Sequence, residues 1–131
     1  MSITVQEKLN DALKYHQGGD FISAEKIYKQ ILEENPSNAD ALNLLGLLFA
    51  GNNKYEEAIN LVEKAVKISP NSYFYLNLGT IYTDKGDIDS ALKTYETALN
   101  LESKNPGIFF GMAQCYKRKN DFILKYNKTY S

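Results

Sequence analysis

The sequence predicts an all-α protein assembled from tandem antiparallel helix pairs, a helical solenoid. Three observations predict it. Residue columns recur at steps of 34 and 33 positions. Each period carries two apolar patterns with helical spacing, and a cluster of turn residues lies between them. Ala24, Ala58 and Ala91 form one column; Ala12, Gly46, Gly79 and Ala113 form a second; Tyr15, Phe49, Tyr82 and Tyr116 form a third. Pro36 and Pro70 repeat the 34-residue step. The columns share one deletion after Pro70, where PNSYFYLNLG is one residue shorter than PSNADALNLLG.

The elements follow in order. The first unit, residues 5–38, opens on Thr4-Val5-Gln6-Glu7, which fits a capping box. Its first helix ends at Gly18-Gly19, and Asp20 is placed to cap the second. In the second unit, 39–71, Leu42, Leu45, Gly46 and Phe49 have the i, i+3, i+4, i+7 spacing of one helical face. Gly51-Asn52-Asn53 breaks that pattern. Tyr55, Ala58, Ile59, Val62, Ala65 and Val66 restart it, and Ser69-Pro70-Asn71 ends it. Lys54 stands in the capping column, which leaves Asn53 as the capping candidate. The third unit, 72–105, repeats the design in YLNLGTIYTDKGDIDSALKTYETALNL, with Asp87 as the cap.

The fourth unit, 106–131, diverges. Asp121 is the expected cap of a short closing helix, DFILKYNKTYS, which is either a solvating cap or a truncated repeat. Lys125 replaces the small alanine of the second helix and Thr129 replaces its aromatic residue. The expectation is three full helix pairs and a divergent fourth, in a single array over residues 1–131. Gly46 on a first helix and Ala58 on a second let the two backbones approach closely. One hairpin cannot bury its apolar face alone, so the units must stack. Tyr15, Tyr55, Tyr82, Tyr95 and Tyr116 occupy repeat columns and are read as core. Phe122, Ile123, Tyr126 and Tyr130 form an uncovered face on the last helix, from which weak self-association or a missing downstream repeat is expected.

These columns carry a family resemblance. The LG-x-x-F/Y segment, the G/N-D/K-aromatic turn, the x-A-hydrophobic step and the closing proline resemble the tetratricopeptide repeat over roughly residues 5–131. The resemblance implies a right-handed superhelix whose first helices line a concave face. More narrowly, the chain resembles the repeats that open many bacterial proteins of this family, some of which continue into an O-GlcNAc-transferase-like domain. Lys8 and Asp11 depart from the family pattern, which has bulky apolar residues there.

The first-helix positions left over from the core columns are expected to face the groove. The ligand-binding candidates are Asn10, Asn43, Leu44, Leu47, Tyr73, Leu76, Asn77, Thr80, Phe110 and Gln114. Leu47 and Leu76 would receive apolar side chains, while Asn43, Asn77 and Thr80 would bond to a ligand backbone; the alternative is that Leu44, Leu47 and Leu76 simply pack between neighbouring helices. The flanking positions Leu9, Leu13, His16, Thr83, Lys117 and Arg118 share those faces. Family members that clamp chaperone carboxylates use Lys, Arg and Asn. Here the matching places hold Leu9, Leu13, Leu44, Tyr73 and Asn77, which excludes that function. The resemblance to O-GlcNAc transferases includes an asparagine ladder; Asn10 and Asn77 fill its rungs, and Leu44 and Gly111 interrupt it.

Composition narrows the function classes. Fifteen basic residues against 16 acidic ones give a net charge of −1, which argues against a nucleic-acid binder. Five of the basic residues, Lys117, Arg118, Lys119, Lys125 and Lys128, fall after position 116. Such a basic end could touch nucleic acid or acidic lipid, but one short stretch of this kind reads first as a solvated tail. One cysteine, Cys115, and one histidine, His16, leave no disulfide and no histidine or cysteine metal cluster. His16 either faces the groove or covers its own turn. Cys115 has no neighbouring base and reads as structural. Phosphate-loop, dinucleotide and nucleophile-elbow motifs are absent. No cofactor, no metal and no catalytic residue is expected. The sequence therefore reads as a non-enzymatic module that binds a protein or peptide, with no nucleic-acid partner and no membrane span. The alternatives are the substrate-recruiting front of a longer glycosyltransferase and a self-assembling scaffold. No secretory signal is visible, and the expected location is cytoplasmic.

Overall fold

The computed structural model describes residues 3–102 and 104–130, and of residues 122 and 124–130 the backbone alone. Among the described residues there are seven α-helices and no strand. Two compact units are present, residues 1–70 and 71–131.

The first unit holds α1 (Val5–Gln17), α2 (Phe21–Glu34), α3 (Ala39–Gly51) and α4 (Tyr55–Ile68). Thr4 caps α1 by accepting from the Glu7 amide at 3.1 Å, the first half of the expected capping box. Asp20 caps α2 through the Ser23 amide, and Asn38 caps α3 through Ala41. Lys54 gives α4 no side-chain cap. Asn53 does not replace it, since its side-chain oxygen accepts from the Tyr55 hydroxyl instead. Asn53 does adopt a left-handed φ of 63°, as Gly19 does at 88°. In both turns the chain closes alike: the Asp20 amide donates to Tyr15 and the Lys54 amide to Phe49, at 2.8 and 2.9 Å.

The core of this unit packs Leu9 and Ala12 of α1, Ala24, Tyr28 and Ile31 of α2, and Ala41, Leu45 and Leu48 of α3. The close approach of α3 and α4 is as anticipated. A Cβ added at Gly46 would lie 2.6 Å from Val62 Cγ2 and 3.1 Å from the Ala58 carbonyl.

The second unit holds α5 (Ser72–Lys85), α6 (Ile88–Leu101) and α7 (Pro106–Tyr130). Asn71 and Asp87 cap α5 and α6. Gly86 repeats the left-handed turn at φ 95°, and the Asp87 amide donates to Tyr82 at 2.9 Å. Ala91, Leu92, Tyr95 and Ala98 of α6 form a core with Ile108 and Cys115 of α7. Cys115 is fully buried, with Thr83 Oγ1 at 3.4 Å from its sulfur.

The fourth unit departs from the expected hairpin. α7 runs without a break from Pro106 to Tyr130, so Asp121 lies inside a helix and caps nothing. Two features of the sequence explain this. No glycine follows Gly111, and Lys125 fills the column where Ala24, Ala58 and Ala91 permit close approach. Two of the expected core tyrosines also sit outside: Tyr15 is 45% exposed and Tyr116 50%, whereas Tyr95 is 2% exposed. Ala113 is exposed, and Gly111 takes the close approach in α7. The self-association expected from Phe122, Tyr126 and Tyr130 rests on side chains outside the described residues.

Candidate functional site

In the first unit, Asn10 lies exposed on α1 and accepts from Gln6 Nε2 at 3.1 Å. It borders a shallow depression with Leu13, Lys14 and Gln17. Leu44 and Leu47 of α3 are half-buried, and Leu44 packs on the core. Asn43 is not available to a ligand: it is 1% exposed. No described buried side-chain nitrogen or oxygen lacks a hydrogen-bond partner, so the Asn43 amide is satisfied within the protein. Its column explains the error. Leu9, Asn43, Leu76 and Phe110 mix an amide, leucine and an aromatic residue, so repetition does not mark the position as core. Leu9 is likewise buried.

His16 covers its own hairpin. Its Nδ1 lies 3.4 Å from the Tyr28 hydroxyl, and its ring stands edge-on to Phe21 and Tyr28. Desolvation holds the imidazole below its ordinary value of 6.5. The unfolded chain therefore binds this proton more tightly than the folded one. Stability from neutral His16 is full above about pH 6.5 and is lost as pH falls through it toward the lower folded value. Between about pH 7.5 and about pH 5.5 the wild type should lose more thermal stability than a His16→Gln variant. Parallel losses would contradict this assignment.

In the second unit, α5 and α7 present two strips. Tyr73, Asn77 and Thr80 follow one another at helical spacing on α5. Tyr73 is 53% exposed and Asn77 half-buried. Thr80 is exposed, but its hydroxyl donates to the Leu76 carbonyl at 3.0 Å and so accepts from the Tyr95 hydroxyl at 3.1 Å. Its only proton is used internally, and it cannot donate to a ligand backbone as the sequence suggested. Thr83 is buried and donates to Gly79. Leu76 is half-buried, with a methyl 3.1 Å from where a Cβ on Gly107 would stand. The first turn of α7 therefore lies against α5.

On α7, Phe110, Gln114, Lys117 and Asp121 are spaced 4, 3 and 4, a single strip about 16 Å long. All four are exposed, Phe110 at 66%. Gln114, Lys117, Arg118 and Asp121 edge a shallow depression. Arg118 donates to the Thr83 carbonyl at 2.7 Å, and Lys119 pairs with Asp89 of α6 at 2.9 Å. Both cations thus tie α7 to its neighbours. Asp121 was not anticipated on this strip; the lack of glycine after position 111 is the signal for a continuous α7 that could have placed it there.

The helix pairs, the recurring left-handed turns and the small-residue contacts define a class of protein, the helical-repeat solenoid. Comparison with known proteins makes the family explicit. A tetratricopeptide repeat profile matches residues 9–73 and a TPR repeat profile matches 79–120. The chain belongs to the tetratricopeptide repeat family. A TPR repeat-containing protein of Methanocaldococcus jannaschii is 28% identical over 120 residues, which cover 92% of this chain and 21% of that one. A probable UDP-N-acetylglucosamine–peptide N-acetylglucosaminyltransferase of Arabidopsis thaliana is 30% identical over 89 residues, 67% of this chain and 9% of that one. The chain thus spans about a fifth of the first of these relatives and less of the other. The Sgt2 TPR domain from Aspergillus fumigatus has a similar fold, with a TM-score of 0.82 at 20% identity over 92% of this chain and 82% of that one. Among the described residues, no helix is long and apolar enough to cross a membrane.

Proposed function

We propose that the chain is a protein-interaction module without catalytic activity of its own, and that it holds a protein or peptide segment on first-helix faces. One observation carries this reading. Tyr73 and Phe110 expose more than half of their surface on α5 and α7 of the second unit. Large aromatic side chains left in water beside amides are what a peptide-binding surface needs: apolar anchors plus groups that both donate and accept. Asn77 and Gln114 supply the amides, Leu76 the floor between them. In the first unit Asn10, Leu44 and Leu47 remain as weaker candidates.

The test is selection of binders from a phage-displayed peptide library on the intact chain, followed by titration. Tyr73→Ala with Phe110→Ala should weaken the selected peptides at least tenfold, about 1.4 kcal/mol. Added salt should change affinity little, because the anchors are uncharged. Undiminished binding that instead falls steeply with salt and disappears in Lys117→Ala would move the site to the basic end of α7.

A second reading is favoured by the similarity to the Arabidopsis transferase. The same faces would then recruit substrate for a glycosyltransferase encoded further along the same chain. The reading frame beyond Ser131 tests it: a transferase domain there supports it, and a stop codon refutes it.

A further inference from the structure

A neighbouring face of α7, about 100° round the helix from the strip of Phe110 and Gln114, carries a second surface. Phe109, Met112, Ala113 and Tyr116 occupy the columns that in α3 hold Leu42, Leu45, Gly46 and Phe49, and in α5 hold Tyr75, Leu78, Gly79 and Tyr82. In those two helices a second helix covers the columns. Val62, Ala58 and Leu61 of α4 close over Gly46, and the Tyr95 ring of α6 closes over Gly79. Leu42, Leu45 and Leu78 are 5% exposed or less, and Tyr75 and Tyr82 pack on the α6 cluster. On α7 three of these columns are open: Phe109 is 51% exposed, Tyr116 50%, and Ala113 is exposed, while Met112 is half-buried against the α6 cluster.

From this we infer that α7 takes an amphipathic helix from another protein, one with alanines seven residues apart and a bulky apolar residue between them. The covering helices define that pattern: Ala58, Val62 and Ala65 in α4, and Ala91, Tyr95 and Ala98 in α6. The small residue is required because Ala113 sits where the partner backbone must come close. The chain's own residues 121–130 do not meet the requirement, since Lys125 stands in the alanine column. The same lysine excludes the corresponding segment of a second copy. Nor can a second copy lend α2, α4 or α6, because Ala24, Ala58, Ala65, Ala91 and Ala98 are already fully buried in their own pairs. An isolated helix of this length is marginal in water, so the partner segment would fold as it docks.

The probe is a labelled, end-blocked peptide copying residues 88–101, titrated into the intact chain and read by fluorescence anisotropy. Saturable binding is expected. Ala113→Leu should weaken it at least tenfold although it adds apolar surface, and Tyr116→Lys should do the same. A peptide carrying Ala91→Leu and Ala98→Leu should bind at least tenfold more weakly to the wild type. The protein variant Tyr73→Ala with Phe110→Ala should bind the peptide as the wild type does, which separates this surface from the first-helix strip. Absence of saturable binding would overturn the inference. So would affinity unchanged by Ala113→Leu, the mark of generic stickiness, or a concentration-dependent dimer that excludes the peptide, the mark of a second copy on this face.

Discussion

Gly46→Leu is expected to destabilise the first unit by about 3 kcal/mol, the upper end of the overpacking range. The Cβ alone would meet Val62 Cγ2 at 2.6 Å and the Ala58 carbonyl at 3.1 Å. A methyl group can be moved aside, but the carbonyl belongs to the α4 backbone, so the added leucine atoms force α3 and α4 apart. Leucine's better helix propensity returns only about 0.8 kcal/mol. Gly51→Ala is the control. A Cβ there meets nothing within 4 Å, and the residue has no left-handed φ. It should leave stability unchanged or slightly raised. Denaturant unfolding followed by circular dichroism distinguishes the two, read as a curve rather than one midpoint because repeat units need not unfold together. If Gly46→Leu unfolds like the wild type, the close approach of α3 and α4 is not what holds this pair.

Tyr95→Ala is expected to cost about 3–5 kcal/mol, as for other buried aromatic truncations. The ring is enclosed by two glycines from different helices. A Cβ at Gly79 of α5 would lie 2.6 Å from it, and one at Gly111 of α7 would lie 2.5 Å away. Loss of the ring therefore leaves a cavity that both neighbours line with bare backbone. The coupling can be measured. Gly111→Ala should destabilise the wild type, and Tyr95→Val, which copies Val62 in the same column, should relieve most of that cost. Additive effects would mean that Gly111 is not there to admit the ring.

The six helices α1 to α6 were legible because each is bounded by chemistry that the sequence states openly. Asp20, Asp87, Asn38 and Asn71 cap, and Gly19 and Gly86 supply left-handed residues. The break expected before Asp121 rests on analogy with Asp20 and Asp87, which do follow left-handed residues, Gly19 and Gly86. A turn of this kind pays off only when the next helix can pack back. Lys125 prevents that, so the helix continues. The candidate faces were legible only in part. Repetition marks the side of a first helix that meets its own partner, and it says nothing about positions that vary from unit to unit. Asn43 is therefore expected in the groove although it is buried, while Tyr73, Phe110 and Gln114 are exposed. The Thr80 proton goes to the Leu76 carbonyl one turn back, a local option open to any helical threonine. The Tyr95 hydroxyl that donates to Thr80, by contrast, comes from fifteen residues away, and no local pattern announces it.

The central claim is that the strips presented by α5 and α7 receive a protein segment. Its most direct measurement replaces Phe110, in one protein, and Ile22, in another, by a photo-reactive phenylalanine analogue and irradiates each with a library-selected peptide. Ile22 is the fair comparison, being 83% exposed and equally apolar but on a second helix, α2. The account predicts a cross-link to the peptide from position 110 and none from position 22. Capture at position 22 with none at position 110 would contradict it.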